Sequence, residues 1–113
     1  MTMTEEDLEG LVRISLEGRL DVGGTQKIEQ AFAYRTTSRA GRFAIDLSGV
    51  TFLASIGIRM LITAARAQTQ RGGRMILVSP ESMTRKVLET AGVDQLIAVV
   101  PDLDAARGAL ATA

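Results

Sequence analysis

The sequence predicts a single α/β domain, with a mostly parallel central sheet, an N-terminal hairpin and about four helices. Three observations carry this. Short apolar runs at Phe43–Leu47, Met75–Val78 and Leu96–Val100 have the length and the Val, Ile and Leu content of buried strands. Segments with apolar residues three and four apart separate them, as strand–helix alternation in a parallel sheet requires. No repeat, linker or low-complexity tract divides the 113 residues, a length that fits one domain spanning 1–113.

Residues 1–9 are polar and acidic and are expected to form a flexible N-terminus. From Leu11 to Leu16 the chain alternates, with Val12, Ile14 and Leu16 on one side and Arg13 and Ser15 on the other, the two-residue period of a half-buried strand. Glu17-Gly18 reads as a tight turn into Arg19-Leu20-Asp21, making a hairpin. Gly23-Gly24 then breaks the chain before Ile28, Ala31 and Phe32 recur at helical spacing. After a loop over residues 36–41, Phe43, Ile45 and Leu47, with Ala44 between them, predict a central strand covered on both faces.

Gly49-Val50-Thr51-Phe52-Leu53 leads to FLASIGIRML, where Ile58, Leu61, Ile62 and Ala65 predict a helix. Arg59, Thr63, Arg66 and Gln70 form its polar face, and Gly72-Gly73 ends it. Met75–Val78 is the next buried strand. Ser79-Pro80-Glu81-Ser82 opens a helix with Met83, Val87, Leu88 and Ala91 inward, and Gly92 closes it. Leu96–Val100 is a further strand, and Asp102 caps a last helix bearing Leu103, Ala106 and Leu110.

Composition narrows the chemistry. Lys+Arg and Asp+Glu both number 13, for a formal net charge of +0, so bulk charge gives no reason to bind nucleic acid or an anionic membrane. With 0 Cys and 0 His there are no disulfides, no thiolate or imidazole metal ligands and no histidine general base. The N-terminus lacks the basic and apolar order of a signal peptide, and no apolar run reaches the ~18 residues of a spanning helix. The chain is therefore expected to be cytoplasmic, without cofactor or metal.

Gly23-Gly24 and Gly72-Gly73 fit neither phosphate-loop pattern and read as turns. Asp21 and Asp46, both near strand ends, offer either a carboxylate pair for Mg²⁺ or two turn and cap carboxylates. Arg35, Arg39 and Arg42 suit the negative pole of the helix that precedes them. Ser55 has two physical meanings. Before an amphipathic helix a serine is a preferred N-cap. The same place, rich in free N–H groups at the positive pole, also favours a phosphate. Gly57, in the first turn, would leave that end open to a partner.

At this point the residues resemble a known family. Phe43-Ala44-Ile45-Asp46-Leu47-Ser48-Gly49-Val50-Thr51-Phe52-Leu53-Ala54-Ser55-Ile56-Gly57-Ile58 is similar to the signature of STAS domains, the fold of bacterial anti-sigma factor antagonists and of the cytosolic tails of sulfate transporters. Leu16-Glu17-Gly18-Arg19-Leu20-Asp21 resembles the family's hairpin, and Leu88-Glu89-Thr90-Ala91-Gly92-Val93 its late helix end. The resemblance implies a single STAS-type domain over nearly the whole chain. It also implies that Ser55 stands where the family carries the serine phosphorylated by a kinase-type anti-sigma factor. The family's flanking Asp and second Ser are Ala54 and Ile56 here.

The function so implied is that of a non-enzymatic, anti-sigma factor antagonist-like module. It would dock an anti-sigma factor with a serine kinase-type domain through the Asp21 turn, Ser55, Gly57 and the helix face of Arg59, Thr63 and Arg66. Two alternatives stand beside it. One is a STAS subunit of a stress-signalling complex or lipid transporter in which Ser55 only caps a helix. The other is a small nucleotide-binding or hydrolytic domain using Asp21, Asp46 and Ser55.

Overall fold

The computed structural model describes residues 1–111. In chain order the elements are β1 (Thr2–Leu8), β2 (Leu11–Leu20), α1 (Val22–Thr37), β3 (Arg42–Leu53), α2 (Ser55–Gln70), β4 (Arg74–Val78), α3 (Ser82–Thr90), a 3₁₀ turn (Val93–Gln95), β5 (Val99–Val100) and α4 (Leu103–Ala111). The sheet has the order β1-β2-β3-β4-β5. Among the described residues only the β1–β2 pair is antiparallel. The remaining pairs are parallel, so the predicted α/β class with an N-terminal hairpin holds.

Strand β3 is central, as its apolar residues on both faces predicted. Phe43, Ile45 and Leu47 join α1, α2 and α3 in one core with Ile14, Leu16, Phe32, Leu61 and Leu88. Ala44 points the other way, to a second core where Ala106 and Leu110 of α4 cover Leu11, Ile76 and Val78. Asp102 does cap α4, its Oδ1 accepting the Ala105 N–H at 2.8 Å.

Several expectations need correction. Residues 2–8 are not a flexible terminus: they form β1, registered from Thr2 opposite Glu17 to Leu8 opposite Leu11. An outer strand faces solvent, so its acidic residues are compatible with pairing. Glu6 pairs with Arg13, and Glu5 and Asp7 with Arg35. Met1 and Met3 pack on the core beneath. The hairpin turn is accordingly Glu9-Gly10, with Gly10 at φ +81°, and β2 runs unbroken through Gly18.

Strand β3 continues to Leu53 where a connecting segment was expected. Ser15 pairs with Asp46 but Glu17 with Gly49, and Gly18 pairs with Val50 but Arg19 with Phe52. Each step inserts one extra residue into β3, and the first of these bulges switches the pleat so that Val50 returns to the core face. Helix α1 likewise begins earlier than read, taking Gly23 and Gly24 into its first turn. A Cβ on Gly24 would lie 1.9 Å from the Arg19 carbonyl oxygen, so only glycine lets the helix start against the end of β2.

The phase of α3 also differs. Thr84 and Leu88 are its buried residues, Thr84 Oγ1 donating to the Val50 carbonyl at 3.2 Å. Met83, Val87 and Ala91 therefore point outward. After Gly92, at φ +75°, the Leu96 and Ile97 N–H groups both donate to Val93. That helical turn leaves Leu96 outside and shortens the last strand to Val99–Val100.

Candidate functional site

Parallel strands β2 and β3 end side by side, Leu20 opposite Leu53, and each runs directly into a helix. The Ala54 N–H donates to the Leu20 carbonyl at 2.9 Å. The N-termini of α1 and α2 thus emerge together, which brings Asp21 and Ser55 to one end of the sheet.

The two helix starts are built differently. Asp21 is the N-cap of α1, Oδ1 accepting the Gly24 N–H at 2.8 Å and Oδ2 accepting Arg19 Nε at 3.3 Å. The Gly24 amide is the main cause holding the Asp21 carboxyl below its usual pKa; partial desolvation opposes it and Arg19 adds to it. Arg19 lies over the Phe52 ring, 4.3 Å from its centroid. A cation stacked on a 41% exposed phenylalanine therefore borders the site. Sequence reasoning placed Arg19 in a hairpin arm and Phe52 in a connector; only the bulged register brings them together.

At α2 the N-cap is Ala54, extended at φ −93° and ψ 167°, and no side chain caps the helix. Of the two readings left open for Ser55, the N-cap is not the one found: Ser55 is the first helical residue. It is exposed, and its hydroxyl makes no hydrogen bond among the described residues. The Leu20–Ala54 bond fixes the chain direction one residue before the serine, so the turn into the helix occurs where no polar side chain is available.

Gly57, expected to leave the helix end open to a partner, is buried. A Cβ there would meet Leu20 Cβ at 3.0 Å, Leu53 Cδ1 at 3.1 Å and the Leu20 carbonyl oxygen at 3.2 Å. Its role is close packing of α2 on β2 and β3. Ser55, Arg59, Thr63 and Arg66 are all exposed and, spaced by three and four residues, line one stripe of α2. On the α1 side of this stripe lies a groove of about 420 Å³, floored by Phe32, Ile56, Met60 and Ala64 and edged by Glu29 and Arg59.

Asp46 stands apart. It accepts the Ser48 N–H at 2.9 Å and lies seven residues before Leu53 along β3, roughly 20 Å from the Ser55 end at the rise of a strand. Asp21, Asp46 and Ser55 do not converge, which removes the arrangement a hydrolytic or Mg²⁺ reading needs. Among the described residues no group of three or more acidic side chains is placed to hold a metal ion, and no helix is long and apolar enough to cross a membrane.

This architecture, two helix N-termini side by side at the ends of parallel strands, is that of a STAS domain. Residues 4–101 match the family model described as "Mlab, STAS domain", and the chain belongs to that family. It is 24% identical to BtrV of Bordetella bronchiseptica over 113 residues, 100% of this chain and 97% of that one. It is 28% identical to the anti-sigma-F factor antagonist RsfB of Mycobacterium tuberculosis over 95 residues, 84% of this chain and 77% of that one. The crystal structure of an anti-sigma factor antagonist from Mycobacterium paratuberculosis matches with a TM-score of 0.86 at 28% identity, over 96% of this chain and 92% of that one.

Proposed function

We propose that this chain is a non-enzymatic binding module of the anti-sigma factor antagonist type. It docks a kinase-type anti-sigma factor through the Asp21 turn and the α2 stripe of Ser55, Arg59, Thr63 and Arg66, and Ser55 is the residue the partner modifies. The observation that carries this reading is the idle hydroxyl. Ser55 caps nothing, so its exposed Oγ has no structural duty to lose. A phosphate there would lie at the N-terminus of a 16-residue helix whose first amides lack a capping side chain, a placement the helix dipole favours. The family relationship and the likeness to RsfB, an anti-sigma-F factor antagonist, support the partner class.

The testing experiment is phosphoryl transfer from ATP by a kinase-type anti-sigma factor of the source organism. The expected result is one phosphate on the wild-type chain and none on Ser55→Ala. Phosphate on neither, with neither binding the anti-sigma factor, favours a second reading: a STAS subunit of a stress-signalling complex or lipid transporter without phosphoregulation. Ala54 and Ile56, in place of the carboxylate and second hydroxyl of the resembled signature, are the observation on its side.

A further inference from the structure

Helix α2 carries cations but no acidic residue, reading SIGIRMLITAARAQTQ from Ser55 to Gln70. Its first cation, Arg59, is exposed and makes no ion pair among the described residues. Two carboxylates border this end of the helix. Asp21 is engaged by the Gly24 amide and by Arg19. Glu29 stands on the α1 wall of the groove whose other wall carries Arg59, and the two make no ion pair. Arg59 is thus a cation without an anion.

Its place in the helix says which anion it suits. Arg59 follows Ser55 by four residues, a spacing that sets two Cβ atoms about 5–6 Å apart on one face. Helical side chains lean toward the N-terminus, so a long side chain at 59 lies over the turn that carries residue 55. An anion N-terminal to its cation is also the better order along the helix dipole. In α3 the same spacing already closes an ion pair, Arg85 Nε lying 3.5 Å from Glu89 Oε2.

We infer that Arg59 is an internal clamp for a phosphate on Ser55. The clamp rests on the reading of Ser55 as the modified residue and deepens it, because the modification then finds its counter-ion within the same helix. A guanidinium presents paired N–H donors that match two phosphate oxygens, and only side-chain torsions need to turn to bring them together. Closing the clamp takes Arg59 away from the docking stripe and from the edge of the α1–α2 groove. The stripe therefore loses Arg59 as a free cation at the moment it gains an anion.

Phosphorus NMR of the full chain, with phosphoserine installed at position 55 during synthesis and no kinase present, tests the clamp. The second pKa of a phosphoserine is about 6, and a neighbouring cation favours the dianion. That pKa should be lower by about 0.3 in the chain with Arg59 than in Arg59→Gln, and high salt should close the gap. The amides of the helix end act on both chains alike and cancel from the difference. Arg59→Lys should keep part of the shift, and Arg71→Gln, at the far end of α2, should keep all of it. The Arg59 Nε–H signal should move as the phosphate titrates. Equal phosphate pKa values with and without Arg59 overturn the clamp, as does a shift that Arg19→Gln abolishes and Arg59→Gln leaves in place. Because the phosphate is installed directly, a kinase that leaves Ser55 unmodified counts against the proposed function alone, and a phosphate indifferent to Arg59 counts against the clamp alone.

Discussion

The carbonyl of Leu20 holds the N–H of Ala54 at 2.9 Å, tying the end of β2 to the residue that starts α2. This bond makes Ala54, not Ser55, the N-cap. It also brings the Asp21 cap of α1 beside Ser55. A capped helix and an uncapped one thus share one edge of the domain, and the serine on the uncapped helix is free.

Asp21 should make stability depend on pH. Its folded-state pKa is lowered, chiefly by the Gly24 amide, so between the folded and unfolded values the unfolded chain binds the extra proton and stability rises with pH. The contribution is full above the ordinary carboxylate value of about 4 and is lost as pH falls through the lower folded value. Asp21→Asn keeps a capping oxygen but removes the charge. Its denaturation midpoint should lie below wild type at neutral pH and converge with it in acid; a constant gap at all pH values would contradict the assignment.

Gly57→Ala should destabilise by about 1–3 kcal/mol, the range for overpacking a filled contact, because Leu20 and Leu53 already crowd the added methyl. Denaturant unfolding measures this. A neutral or stabilising result, the usual effect of Gly→Ala within a helix, would show that α2 can shift away from β2 without loss.

Gln68 is buried on α2 and fastens the loop between α1 and β3. Its Nε2 donates to the carbonyls of Thr36 and Arg39, and its Oε1 accepts the Gly41 N–H at 2.9 Å. Gln68→Leu keeps the bulk and orphans those groups, so a loss of about 3 kcal/mol is expected. Amide exchange at Gly41 should accelerate in the variant; unchanged protection would mean that the loop is held by other contacts.

The α2 stripe can be tested apart from stability. Arg59→Glu with Arg66→Glu changes two exposed side chains and should move stability by less than about 0.5 kcal/mol, while weakening binding of the anti-sigma factor, with most of the change in association rate and salt dependence. Equal affinity at low salt would return the stripe to plain solvent exposure.

What the sequence made legible follows its physics. Phe43, Ala44 and Ile45 are apolar on both faces, so a central β3 could be read directly, as could Asp102, whose side chain announces a cap. Ser55 was legible as a position but not as a role: propensity favours serine as cap, while the backbone turns at Ala54 because Leu20 holds it there. Gly18 looked like a turn, yet β2 passes through it, and the bulges that extend β3 depend on pairing with β2 that no local pattern encodes. The outward phase of Met83 and Val87 was hidden because Thr84, a polar residue, takes the inward place through its bond to Val50.

The central claim is that Ser55 is a switch and not a cap, and the binding constants of Ser55→Ala and Ser55→Asp for the kinase-type anti-sigma factor test it most directly. Both variants should fold well. Ala should lie within about 0.5 kcal/mol of wild type because no hydrogen bond is lost, and Asp should gain about 0.3–1 kcal/mol from the helix dipole. Binding should then separate them, with Ala close to wild type and Asp markedly weaker, since its carboxylate carries part of a phosphate's charge into the contact. If Asp binds as tightly as wild type, or if Ala loses stability as a cap variant would, the account is contradicted.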